Sequence, residues 1–401
     1  MKRYSEYKDS GVKWIGEIPG HWKCCKLKYF TRIKSGDALT NNALSDTGKY
    51  KVYGGGDFMG FYDKYNVDAN TILIGRVGAR CGCVTITEEK AWATDNALIL
   101  IHFNINTKFL TYLLVAANLN SLSISNAQPL ITGSKVKDSF IPIPPIEEQE
   151  AIVTYLDSKV AKIDEYISIA EKKIAALEEL KQTIIAEAVT RGIHKEVPMK
   201  DSGVKWIGMI PEHWKVNKIR SHFKERRVKV SDKDFQALSV AKIGIVPQLE
   251  DACKTDNGDN RKQVLKGDFV VNSRSDRKGS CGISPLDGSV SLINIVLRPF
   301  NILQEYVHYL FRSHNYIEEF YRNGRGIVAD LWTTRYSEMR NIQIPVPPLY
   351  EQQEIVTYIE AKVANINQLC QAERSQIEKL KEYKQRLISD VVTGKVKVTN
   401  D

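Results

Sequence analysis

The sequence has 401 residues, which at about 150 residues per domain corresponds to two or three domains. Hydrophobic residues make up 43% and charged residues 26%, a globular composition that excludes a disordered or collagen-like chain. Lys+Arg 57 against Asp+Glu 48 leaves +9, a balance that favours a polyanionic partner. No apolar run approaches the roughly 18 residues of a membrane span. The opening Met1-Lys2-Arg3 has no apolar segment behind it, so no secretory signal is expected. Seven cysteines, an odd number, point to reduced thiols in a cytoplasm rather than to a disulfide framework.

In chain order the first signal is a repeat. Asp9-Ser10-Gly11-Val12-Lys13-Trp14-Ile15-Gly16 returns unchanged as Asp201-Ser202-Gly203-Val204-Lys205-Trp206-Ile207-Gly208. Ile18-Pro19-Gly20-His21-Trp22-Lys23 returns as Ile210-Pro211-Glu212-His213-Trp214-Lys215. A second block, Ile141-Pro142-Ile143-Pro144-Pro145 with Glu148-Gln149, returns as Ile344-Pro345-Val346-Pro347-Pro348 with Glu351-Gln352. The chain is a tandem duplication. The middles, 24–140 and 216–343, share little sequence. Duplicated flanks around unlike centres imply one job done twice and two different jobs between.

The first middle segment carries Tyr53-Gly54-Gly55-Gly56, which lacks nucleotide-loop spacing and reads as a tight backbone turn. Ile72-Leu73-Ile74 reads as a buried strand leading to a loop that presents Arg76 and Arg80. Arginine forks reach guanine edges or phosphates, and a surface salt bridge is the bland alternative for either. Thr94 and Asn96 sit where short polar side chains interrupt a second strand; they suit base edges and also ordinary turns. Lys34, Tyr53 and Lys135 complete the candidate DNA contacts of this segment. The second middle segment is more basic. Lys224, Arg226 and Arg227 lie in a run of cations, and Asn272, Arg274, Arg277 and Lys278 follow the apolar Phe269-Val270-Val271. Arg322 and Arg325 form a third basic loop. Charge runs are commonly solvated faces, but three in one basic domain favour phosphate contact.

After each Pro-Pro the pattern turns helical. Glu147 and Glu148 suit the positive end of a helix dipole. Ile152, Leu156, Val160, Ile163, Ile167, Ala170, Ile174, Leu177, Leu180 and Ile184 step by three or four, a coiled-coil-like seam. Ile355, Ile359, Val363, Ile366, Ile377, Leu380, Leu387 and Val391 repeat it, and Gly192 and Gly394 are natural stops. A helix of about 44 residues spans roughly 66 Å and cannot bury such a stripe alone. Antiparallel pairing of the two copies, as a spacer between two globular domains, is the expectation; packing of each on its own domain is the alternative.

Catalytic signatures are missing. There is no P-loop, and the Pro-Pro pairs follow Ile143-Pro144 and Val346-Pro347 rather than the Asn, Asp or Ser of amino-methyltransferase motifs. Cys24-Cys25 and Cys81-x-Cys83 lack zinc-ligand spacing and read as buried thiols. His308 and His314 sit in an apolar-periodic helix, and His21 and His213 recur beside a tryptophan, which suggests packing or docking done twice.

The D-S-G-V-K-W-I-G-x-I-P-x-H-W opening, the P-P-x-x-E-Q helix entry and the duplication resemble the specificity subunit of type I restriction–modification systems, over essentially the whole chain. Val52 to Asp95 resembles one kind of target-recognition domain and Gly267 to Ser291 another. The resemblance implies an α+β chain with two globular target-recognition domains separated by two long antiparallel coiled-coil helices, a duplication with pseudo-two-fold symmetry. Implied boundaries are 1–145 and 193–345 for the recognition domains, 146–192 and 346–394 for the spacer helices, and 395–401 for a tail. It further implies binding of double-stranded DNA at a bipartite, asymmetric target. Docking of two methyltransferase subunits is implied through Trp14, Trp22, Glu148, Gln149, Trp206, Trp214, Glu351 and Gln352, with two motor-nuclease subunits as optional additions. No cofactor, metal or catalytic residue is implied for the chain itself. A non-catalytic protein-interaction scaffold with incidental charge is the main rival, and an enzyme with an unrecognised site the second.

Overall fold

The computed structural model describes residues 2–123, 129–249, 258–326 and 332–398. Cys253 and the end of the expected tail, 399–401, lie outside the described residues. The chain divides into two compact units, Met1–Ala170 with Arg374–Asp401, and Glu171–Glu373. Each unit therefore contains one globular centre and part of both long helices, rather than being cut at the helix ends.

The first unit opens with a hairpin of strands Tyr7–Asp9 and Glu17–Pro19. Its loop is held locally, the Gly11 N–H donating to Asp9 Oδ1 at 2.9 Å. The centre is a four-stranded antiparallel sheet in the order Thr31–Ser35, Ala97–His102, Ile72–Gly75, Val84–Ile86. Side chains alternate along a strand, so a run buried on both faces reads as continuously apolar. Ile72 and Ile74 face a core with Phe109, Leu110 and Leu113 of the helix Thr107–Ala116. Leu73 faces the other way, onto Val67, Ala91, Ala93 and Ile99. Gly55 and Gly56 form the turn between strands Tyr50–Gly54 and Asp57–Tyr62, as a backbone turn was expected to do.

The second unit repeats this plan. Its hairpin is Met199–Asp201 with Met209–Pro211. Its sheet runs Phe223–Glu225, Asn294–Pro299, Phe269–Asn272, Cys281–Ile283, again antiparallel. Phe269 and Val271 face one core and Val270 the other. The two centres, which share little sequence, thus share a sheet. An apolar strand position accepts Ile, Val or Phe alike, and the equivalence is invisible when letters are compared. One local expectation changes. His308 and His314 do not lie on one helix, because Ser313 takes an extended conformation between Gln304–Arg312 and His314–Arg322.

Each centre is closed by pairing its two ends, Lys23–Lys26 with Phe140–Ile143 and Lys215–Lys218 with Gln343–Val346. The long helices follow directly, Ile146–Arg191 and Leu349–Val392. Gly192 and Gly394 stand past their ends with positive φ. In the first unit Ile152, Leu156 and Ile163 share a core with Leu387, Ile388 and Val391. Lys384 Nζ meets Asp164 Oδ1 there at 2.7 Å. In the second unit Val189 shares a core with Ile355 and Ile359. Lys173 Nζ reaches Glu373 Oε1 at 2.6 Å and Lys181 Nζ reaches Asn367 Oδ1 at 3.2 Å. Within the second unit numbers rise on one helix as they fall on the other, so the two helix segments run antiparallel there. Leu180, expected on the seam, is 48% exposed. The alternation of four and three from Ala170 through Ile174 and Leu177 arrives at Lys181, whose stem lies on the seam while its amine reaches Asn367. Among the described residues no helix is long and apolar enough to cross a membrane.

Candidate nucleic-acid interface

The loop after the central strand is built the same way in both centres. In the first unit Gly75 N donates to Cys83 O at 2.8 Å and Cys83 N to Arg80 O at 3.0 Å. In the second, Asn272 N donates to Ser280 O at 2.9 Å and Ser280 N to Arg277 O at 3.0 Å. Ile131 N donates to Arg76 O at 2.9 Å, and Thr334 N to Ser273 O at 2.9 Å. These matched bonds make Arg80 equivalent to Arg277, Arg76 to Ser273, and Val77 to Arg274.

Five of the first unit's candidates converge at one end of the sheet. Arg76 Nη1 donates to Ser35 Oγ at 3.3 Å, beside Lys34. The Arg76 N–H donates to Asn96 O at 2.9 Å, and the Thr94 N–H to Tyr53 O at 2.9 Å. Arg80 projects outward and pairs with Asp57 at 2.9 Å. Asn96 and Lys34 are exposed, Tyr53 and Arg76 half-buried, and Thr94 buried. Thr94 acts on the turn itself, its Oγ1 lying 3.4 Å from the Asn96 nitrogen. Lys135 stands on the short helix Gly133–Lys137, its amine on Leu122 O at 3.1 Å.

The second unit's candidates fall into two groups. Arg274, Arg277, Lys278, Arg322 and Arg325 gather around the central loop: Arg274 and Arg325 both bridge to Thr333. A cavity of about 460 Å³ is lined by Ser275, Asp276, Lys278, Glu318, Tyr321, Arg322 and Trp332. Acids lie among these cations. Arg274 pairs with Asp276 at 3.0 Å, Lys278 with Glu318 at 3.1 Å, and Arg322 with Glu319 at 3.0 Å. Arg325 stands 3.9 Å from Glu338. Asn272 is half-buried, its Oδ1 accepting from the Arg274 N–H at 3.1 Å.

The basic run before this sheet behaves differently. Arg226 clamps the buried Asp268 through Nε at 2.6 Å and Nη2 at 3.1 Å, which raises the guanidinium pKa. Arg227 pairs with Glu225 at 2.6 Å, and Lys224 lies over the Phe300 ring. Arg226 is therefore held by Asp268 in a bidentate clamp. Sequence reasoning missed Lys262, which meets the same Glu225 at 3.5 Å and whose burial lowers its pKa. Lys262 lies on an unremarkable strand, and only the fold brings it to Glu225.

Six of the eight candidates from the duplicated blocks, three in each unit, make bonds at the helix entry, while Trp14 packs on the first unit's core and Trp206 on Tyr316. Trp22 Nε1 donates to Glu148 at 3.1 Å, and Trp214 Nε1 to Glu351 at 2.7 Å. His21 and His213 hold the same carboxylates at 2.5 Å. Gln149 and Gln352 each accept from the turn ahead of the centre's first helix, from Asn106 N at 2.9 Å and Leu303 N at 2.8 Å. Each also donates back to a proline carbonyl of its own block. Trp22, Trp206, Trp214, Gln149, Glu351 and Gln352 are buried, and Trp14 and Glu148 partly so. The repeated letters thus fasten each helix entry to its hairpin and its centre. The six described cysteines are free thiols, and burial pushes that of Cys281 up to about 12.

Comparison with known proteins identifies the family. The family model described as "Type I restriction modification DNA specificity domain" matches twice, over 19–179 and 215–379. The MjaVIII specificity subunit of a type I restriction enzyme from Methanocaldococcus jannaschii is 23% identical, covering 99% of this chain and 91% of that protein. A putative MjaX specificity subunit from the same organism is 25% identical, covering 98% of each. A solved chain from work on complex assembly and conformational transition of a type I R-M system superposes with a TM-score of 0.66 at 14% identity, covering 94% of this chain and 98% of that one. The chain belongs to the type I restriction–modification specificity subunit family and carries its DNA specificity domain twice.

Proposed function

We propose that this chain is the DNA-reading subunit of a type I restriction–modification complex, its two centres reading the unlike halves of one bipartite, asymmetric target. The observation that carries this is one sheet plan used twice, with the loop after the central strand bearing different side chains: Arg76 against Ser273, Val77 against Arg274. A shared frame with unlike readers suits two half-sites that differ in sequence, whereas identical readers suit a palindrome. Phosphate contacts would give salt-sensitive affinity, and base-edge contacts about 1–3 kcal/mol of discrimination per bidentate pair.

In this account the long helices fix the unread gap between half-sites. Two methyltransferase subunits dock on the duplicated flanks, two motor-nuclease subunits can join them, and methyl transfer and cleavage belong to those partners. The working compartment is the cytoplasm, where the DNA is. The test is selection from a random-sequence duplex pool by the full-length chain with its neighbouring methyltransferase. Enrichment of two unlike blocks at a fixed gap, with binding that weakens as salt rises, is the expected result. A salt-insensitive partner complex that enriches no sequence would favour a protein-interaction scaffold instead.

A further inference from the structure

The matched loops allow a comparison of the two centres residue by residue. Strand, loop and returning strand run without a gap from Ile72 to Asn106 and from Phe269 to Leu303, as the backbone bonds and the left-handed Asn104 and Asn301 require. Few side chains are common to both. Gly82 and Gly279 are shared because each takes a positive φ, 84° and 76°. Asn104 and Asn301 are shared for the same backbone reason. Leu100 with Leu297, and Ile105 with Ile302, are buried core, and Ile86 with Ile283 and Phe103 with Phe300 are shared apolar positions. Arg80 and Arg277 are the one charged pair in common, and neither backbone nor core accounts for them. Their side chains are 60% and 68% exposed.

We propose that Arg80 and Arg277 are the sequence-independent phosphate anchors of the two centres, one per half-site, distinct from the side chains that read bases. This rests on the DNA-reading function proposed above. A residue that reads a base must differ between domains that read different bases; one that grips the backbone need not, because every half-site presents the same phosphate. Apart from the glycine pair, residues at the other loop positions differ: Arg76 corresponds to Ser273, Val77 to Arg274, and Cys81 to Lys278. The guanidinium also suits the role, since its planar fork matches a phosphate's oxygens. Each arginine rests on a carboxylate, Arg80 on Asp57 at 2.9 Å and Arg277 on Asp276 at 3.8 Å. Pairs this exposed contribute little and yield readily to a stronger anion.

The experiment measures binding of the full-length chain, in complex with its methyltransferase partner, to a random-sequence duplex pool across a salt series, followed by sequencing of the selected fraction. Arg80→Ala and Arg277→Ala should each lower the slope of log affinity against log salt by about 0.9, the value for one phosphate, and leave the selected sequence unchanged. Arg80→Lys and Arg277→Lys should keep most of the slope, because the charge remains. Slopes equal to wild type, with the wild-type chain still selecting a sequence, would overturn the anchor role alone. A variant that changes the base preferred at one position would overturn it too, in favour of a reader. A wild-type complex that assembles but selects no DNA sequence would overturn both this role and the specificity function.

Discussion

Trp214 donates its indole N–H to Glu351 at 2.7 Å, joining a tryptophan of the hairpin block to the first turn of a helix far along the chain. Both side chains are buried, and Glu351 also takes His213 at 2.5 Å and Tyr350 at 3.0 Å. Trp22 and Glu148 repeat the bond in the other unit at 3.1 Å. Glu351→Ala leaves a buried indole N–H without an acceptor, which should cost about 1–3 kcal/mol. Glu351→Gln keeps an acceptor oxygen and should cost less. Urea denaturation of the two variants checks the order; equal stabilities for Ala and wild type would remove the junction's structural role.

The same carboxylate makes stability depend on pH. Burial pushes the Glu351 carboxyl up, but hydrogen bonds from Trp214, His213 and Tyr350 outweigh it and hold the group below its ordinary value. A depressed carboxylate stabilises the fold above its unfolded pKa and loses that contribution as pH falls through the folded one. Unfolding midpoints of the wild type should therefore drop as pH falls below about 4.5, and those of Glu351→Gln should drop less steeply.

Arg226 and Arg274 look alike in the sequence and should behave differently. Arg226 is the bidentate partner of Asp268, whose side chain is 3% exposed. Arg226→Ala strands a buried charge and should destabilise the second unit by about 3–5 kcal/mol. Arg274, exposed and paired with Asp276, should tolerate alanine in the fold. Arg274→Ala should instead relax the preference at one half-site only, read from the methylated sequences it produces. Thermal melting together with those sequences separates the two outcomes.

Gly82 and Gly279 share a left-handed conformation but not the same surroundings. A Cβ on Gly82 would stand 2.4 Å from the Asn120 nitrogen, whereas one on Gly279 would meet only the Ile317 Cδ1 at 3.5 Å. The backbone strain of alanine, about 1–2 kcal/mol, applies to both. Gly82→Ala adds a clash with backbone that cannot swing aside, so its melting temperature should fall further than that of Gly279→Ala.

What was legible in the sequence follows from the range of the interactions. The repeat, the helices and the strand-loop presentation of Arg76 and Arg80 depend on local letters and periodicity, and they were readable. The error at Leu180 arose because a three-residue step suits the hydropathy of Leu, while the seam's alternation lands on Lys181. The common sheet of the two centres was not legible, because strand pairing constrains only which face is apolar, and Phe269-Val270-Val271 satisfies it as well as Ile72-Leu73-Ile74. Nor was the fate of Arg226, whose partner Asp268 is distant in the chain. The junction at Glu148 and Glu351 was visible as repeated letters, but their inward orientation is a property of the folded unit.

The most direct test of the central claim is a map of modified bases in genomic DNA from cells carrying this gene with its neighbouring methyltransferase, set against cells lacking this gene. The account predicts a new methylated motif with two unlike defined halves and a fixed unread gap. An unchanged map despite an assembled complex, or a palindromic motif with identical halves, would contradict it.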